Sequence, residues 1–193
     1  MSTYTDIRDA VITWTNRPDL AAETDAAIKN AVRAAHRVNT FYKDLKEVPV
    51  TDLPTDQLQQ IDMSAVAADC RKVFAVRPTG TDLYYTGCSS DDILDDYGLP
   101  KVDVYYGLGN YLVVRASAPV SEITITYYKK PTIEPISSLD SWIATEFPDL
   151  IIYWAAASVL ALIGEQEIKQ RVEALARLEA QNLQSDSLSI QGN

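Results

Sequence analysis

The sequence holds one histidine, two cysteines, two methionines and seven glycines in 193 residues. Each scarcity excludes a kind of chemistry. His36 is remote from Cys70 and Cys88, and neither cysteine lies in a CxxC, so a Cys/His zinc site lacks ligands. A disulfide between the two cysteines is unneeded at this chain length, and reduced thiols are the expectation. With one imidazole, acid–base catalysis would fall to carboxylates or tyrosine. No GxSxG, P-loop or HExxH occurs. Gly107-Leu108-Gly109 is followed by no third glycine and no helix signal, which makes it a hairpin turn rather than a dinucleotide loop. The pairs Asp91-Asp92 and Asp95-Asp96 lack the spacing, glycine and bidentate glutamate of a calcium loop and read as one acidic helical turn or a solvated acidic loop. The chain is therefore not read as an enzyme, and no catalytic residue, metal site or cofactor is assigned.

Positive charge is also short. Seventeen Lys and Arg face 27 Asp and Glu, a net charge of −10. Gripping nucleic acid needs a surplus of cations, so that task is excluded as a main function. Long apolar runs are missing too: the longest, residues 150–163, has 14 residues including a serine. That falls short of the roughly 20 that span a bilayer, and no membrane partner is expected. The N-terminal MSTYTDIRDA has no apolar signal core, so synthesis in the cytoplasm is expected.

What is present is an ordinary globular mixture, 47% hydrophobic and 23% charged. Residues 1–47 carry seven acidic and seven basic groups, whereas residues 140–193 carry eight and three. Apolar spacing predicts a first helix through Trp14, a break at Pro18, and a second helix over 20–45 with Asp19 as N-cap. The buried stripe of that second helix is read as Ala27, Ile28, Ala31, Val32, Ala35, Val38, Tyr42 and Leu45. Residues 51–69 are polar and read as an extended connector or a short helix near 55–61. From Cys70 the period becomes that of strands, with turns at 77–80, 107–110 and 117–120. Strands over 102–106, 111–116 and 122–128, joined by short turns, predict an antiparallel meander. Asp140 is a candidate cap for a short helix. Pro148 and Gly164 then frame a helix, 148–163, apolar on nearly every side and hence central. A last helix, 165–183, packs Ile168, Val172, Leu175, Ala176 and Leu178 to Leu183 against it, before a polar tail.

The predicted fold class is α+β, a bundle of N- and C-terminal helices with an inserted antiparallel β-sheet. The expected parts are N-terminal helices over 1–47, a connector over 48–69, the β insertion over 70–130, C-terminal helices over 131–183 and an extended tail over 184–193. His36 lies beside the helix stripe and is read as a packed or surface residue. The many tyrosines of the sheet have two readings, cross-strand packing or an interface.

Two stretches carry a resemblance. One is Val11-Ile12-Thr13-Trp14-Thr15-Asn16-Arg17-Pro18-Asp19-Leu20 with Ile28, Ala31, His36-Arg37, Phe41-Tyr42 and Asp44-Leu45. The other is Tyr127-Tyr128-Lys129-Lys130-Pro131, Ser141-Trp142-Ile143, and Phe147-Pro148-Asp149-Leu150-Ile151-Ile152-Tyr153-Trp154 through Gly164-Glu165-Gln166-Glu167. Together these resemble the head–tail connector (adaptor, or head-completion) proteins of tailed bacteriophages over about half the chain.

The resemblance implies a structural protein of the virion neck, a homo-oligomeric ring, usually dodecameric, beneath the portal. Such a ring joins the portal protein to the next tail or neck protein, and DNA passes through its channel without specific binding. An acidic chain suits that channel. A non-viral helical adaptor module with a β insertion is the alternative. For a ring, the expected subunit contact joins Arg33, Arg37 and Lys43 of one copy to Glu173 or Glu179 of the next. Tyr105, Tyr106, Gly107, Asn110 and Tyr111 are the candidate contact with a neighbouring copy or the tail protein. In the C-terminal tail, Ser187-Leu188-Ser189-Ile190 alternates polar and apolar groups as an added strand would. Leu188 and Ile190 are the candidate anchors on the portal.

Overall fold

The computed structural model describes residues 4–89, 91–95 and 98–189. In chain order these form α1 (Tyr4–Thr15), α2 (Ala21–Val38), β1 (Leu45–Val50), β2 (Asp56–Asp62), α3 (Met63–Val66) and β3 (Cys70–Pro78). Then come β4 (Thr86–Gly87), β5 (Val104–Leu108), β6 (Tyr111–Val120), β7 (Ile123–Lys129), α4 (Trp142–Glu146), α5 (Pro148–Ile163) and α6 (Gln166–Ser189). The fold is α+β, with helices from both chain ends and a β insertion. It divides into two compact units, residues 1–43 with 130–193, and residues 44–129.

The helical unit is centred on α5. Pro148 starts that helix, where its missing N–H costs nothing, and Gly164 ends it at φ 81°, donating its N–H to the Leu160 carbonyl. Leu150, Ile151, Ala155, Ala156, Val159 and Leu160 are buried among Ile7 and Val11 of α1, Ile28, Val32 and Ala35 of α2, and Val172 and Leu183 of α6.

Several local expectations are corrected. α2 has Leu20 at its N-cap and no side-chain cap, because Asp19 is held by Arg17 in a bidentate pair at 2.7 and 2.8 Å. α2 stops at Val38, so Val38 and Tyr42 leave the predicted stripe and are exposed. Ser141, not Asp140, caps α4, accepting the Ala144 N–H at 3.2 Å, while Asp140 bridges to Thr132. Of the predicted α6 stripe, Val172, Ala176 and Leu183 are buried, while Ile168, Leu175 and Leu178 are exposed. α6 also continues past the expected end at Leu183 to Ser189. Among the described residues no helix is long and apolar enough to cross a membrane.

The β unit contains a three-stranded sheet, β1-β7-β3, and a four-stranded sheet, β2-β6-β5-β4. All pairings are antiparallel except the short β4–β5 pair. The predicted meander is thus half right. β5 and β6 form a hairpin with Leu108 opposite Tyr111. β6, however, runs straight through the expected turn at 117–120, and β7 pairs with β1 and β3 instead. Val114 and Ala116 of β6 and Ile123, Ile125 and Tyr127 of β7 belong to one buried cluster. Strands in two separate sheets can turn their apolar faces toward a shared core.

The polar stretch read as a connector supplies β2. Its buried residues are Ile61 and, unexpectedly, Gln59, whose amide donates to the Asp56 and Val120 carbonyls at 3.1 and 3.0 Å. Central β7 is buried on both faces. Thr124 shares a hydrogen bond with Thr79 and Thr126 donates to Glu47, so its polar side is covered and satisfied.

Candidate interaction surfaces

The first surface belongs to the helical unit. Asn30, Ala31 and Ala34 of α2, Trp154, Ala157, Ser158 and Ala161 of α5, and Lys169, Glu173, Ala176 and Arg177 of α6 line a groove of about 540 Å³. The alanines keep its floor deep, because nothing beyond Cβ fills the space between the helices. Arg33 and Arg37 are exposed on α2, and helical spacing sets them beside Asn30 and Ala34. Arg33 donates to Asn30 Oδ1 at 3.3 Å. Arg37 and Arg177 have no ion-pair partner among the described residues.

The other predicted contact residues are engaged inside this unit. Lys43 pairs with Glu146 and lies 4.9 Å from the Trp142 ring centroid. Glu173 pairs with Lys169 at 3.4 Å. Glu179 accepts a long bond from Asn182, and its charge, with that of Asp149, adds to burial in pushing the Tyr153 hydroxyl above its ordinary range. His36 is buried, with Nε2 2.9 Å from Ser141 Oγ. That oxygen also accepts the Ala144 N–H, so His36 and the start of α4 share one serine hydroxyl. The sole histidine is thus a structural group that fixes the start of α4.

The second surface is the β5–β6 hairpin. Gly109, at φ 60°, makes the two-residue turn that joins the strands. Asn110 is tied back, its carbonyl accepting the Met63 N–H at 3.0 Å. Tyr105 is engaged within the β unit. Its hydroxyl donates to the Phe74 carbonyl at 3.3 Å, burial raises its pKa, and its ring lies 3.0 Å from where a Cβ on Gly87 would sit. Tyr106 is half-buried, while Gly107, Leu108 and Tyr111 are exposed.

The third surface was not singled out by sequence. Five of the sixteen exposed large apolar side chains among the described residues fall within 83–102: Leu83, Tyr84, Leu94, Leu99 and Val102. Its described residues are tied to one another by several bonds. Leu94 bridges to Pro100, Asp95 N–H donates to the Leu99 carbonyl at 2.7 Å, and Lys101 pairs with Asp92 at 2.7 Å. Within the stretch, Thr86 N–H donates to the Asp103 carbonyl at 2.8 Å, next to β5. Asp82 and Asp91 are exposed and have no ion-pair partner among the described residues. The sequence signal was limited to Ile93-Leu94 set between the acidic pairs Asp91-Asp92 and Asp95-Asp96. Cys88 lies within it, and neither Cys88 nor Cys70 is in a disulfide among the described residues.

At the C-terminus, α6 keeps residues 187–189 helical, so the strand-like alternation there is not expressed as a strand. Ile190 lies outside the described residues.

A family model for the SU10 adaptor proteins matches residues 2–191, and the chain belongs to that family of phage head–tail adaptors. It is a structural component of a phage particle that interacts with other head or tail proteins. A comparison with the curated proteins found no match.

Proposed function

We propose that this phage adaptor assembles as a ring, dodecameric in the virion, that sits at the neck and joins the portal of the head to the tail. The family match across residues 2–191 carries the reading. The net charge of −10 supports it, because a channel lined by an acidic protein lets DNA slide where a basic one would retain it. The C-terminal end docks on the portal through Leu188 and Ile190. The exposed part of the β5–β6 hairpin, Leu108 and Tyr111 with Tyr106 beside them, meets the neighbouring copy or the next tail protein.

Native mass measurement of the purified chain, alone and mixed with portal, tests the reading. A discrete ring and a ring–portal complex are expected. A chain that stays monomeric under both conditions overturns the ring. Truncation after Leu183 should abolish portal binding with an unchanged melting temperature, and undiminished binding would rule out the C-terminal docking role.

A further inference from the structure

Each unit has a core drawn wholly from its own residues. Every member of the apolar cluster around α5 comes from residues 1–43 or 130–193, and every member of the cluster around β7 comes from residues 44–129. A stretch with its own buried core and its own pairings can order and open as one cooperative piece.

The chain enters and leaves the β unit through neighbouring strands. β1 and β7 are antiparallel, with Leu45 opposite Tyr128 and Lys46 opposite Tyr127. The two ends of the insertion therefore lie about 5 Å apart, the spacing of a strand pair. Groups of the β unit itself fasten this stem. At its mouth Arg71 of β3 stands 3.7 Å from the buried Asp44 carboxylate and 5.8 Å from the Tyr128 ring. One step further in, Asp69 accepts from the Lys46 ammonium at 3.1 Å and from the Tyr127 hydroxyl at 2.7 Å. Entry strand, exit strand and the start of β3 are thus tied to one another.

We propose that the β unit is a conformational device that opens and recloses as one piece on this stem while the helical unit stays folded. The proposal does not depend on the ring reading. With residues 44–129 open, the helical unit would carry a long flexible loop, and the entropy of closing a loop rises only with the logarithm of its length. The packing of α1, α2, α5 and α6 can therefore outlast the opening. Such an insertion lets the β5–β6 hairpin refit to a neighbouring protein without loosening the helices.

The full-length chain carries a built-in readout. Its three tryptophans, Trp14, Trp142 and Trp154, all lie in the helical unit, so their fluorescence reports that unit. Hydrogen exchange followed by mass spectrometry reports both. Ile125→Val, at a fully buried position of β7, should speed exchange in β1, β3 and β7 together by about threefold or more. Exchange in α2 and α5, and the denaturant midpoint of tryptophan fluorescence, should not move. Arg71→Met, which removes the cation beside Asp44, should act in the same way through the stem. A variant whose β unit fails to fold while the tryptophan midpoint stays put supports the proposal as well. Exchange in α5 that accelerates in step with β7, or a tryptophan midpoint that falls in either variant, overturns it, because the chain then opens as a whole. Acceleration confined to one strand overturns it too, since the unit would then fray rather than open together. So does unchanged exchange in β7 in both variants, since neither core nor stem would then hold the unit closed.

Discussion

The helical unit is assembled from both ends of the chain, and the β unit from one continuous stretch. The discontinuous unit is nevertheless the more legible. Its core stripes lie within single helices, where residues three and four apart share a face. Ile28, Ala31, Val32 and Ala35 announce their burial without reference to any other segment. In the β unit each strand's partner is set by what lies across from it. β2 is polar except for Leu58 and Ile61, and it becomes a strand because β6 offers it a ladder. Chain continuity therefore says little about legibility; the locality of the ordering interactions decides it.

That contrast can be broken or sharpened by measurement. The largest expected effect is in the helical core. Leu160→Ala, at a position 1% exposed, should cost on the order of 2–5 kcal/mol in a denaturant melt. A loss too small to measure would show that α5 is not the central element. In the β unit the sharper test is a polar one. Gln59→Ala removes the donor shared by the Asp56 and Val120 carbonyls and should cost about 1–3 kcal/mol. An unchanged melt would show that the β2–β6 pairing does not depend on this amide.

The smallest effect is a pH dependence, also in the β unit. Burial disfavours the charged form of Asp69, but hydrogen bonds from the Tyr127 hydroxyl and the Lys46 ammonium outweigh it and hold the carboxyl below its ordinary range. A carboxyl depressed in the fold stabilises above its unfolded-chain pKa, and that contribution is lost as pH falls through the folded value. Asp69→Asn should therefore narrow the drop in melting temperature between neutral and acid solution. An identical acid limb in the variant would remove Asp69 from that account.

The surfaces followed the same division. The exposed cations of α2 were legible because a helix with one apolar stripe must present its other residues outward. That Lys43 is engaged by Glu146 was not, since the two are 103 positions apart. Likewise Tyr105 was read with the hairpin tip, yet its ring is packed beside Gly87 on a neighbouring strand.

By itself the sequence determined the α+β class, the placement of the β insertion between helices, the central apolar helix with its proline start and glycine end, and the hairpin turn at Gly109. These depend on period, φ preference and missing donors, which are properties of a residue and its near neighbours. Only the tertiary structure decided that β6 and β7 part into two sheets, that Gln59 is a core residue, that the sole histidine serves Ser141, and that α2, α5 and α6 leave a groove between them. Each of those arises where distant segments compete for the same buried space, and the outcome turns on which pairing buries most apolar surface while leaving no polar group unsatisfied.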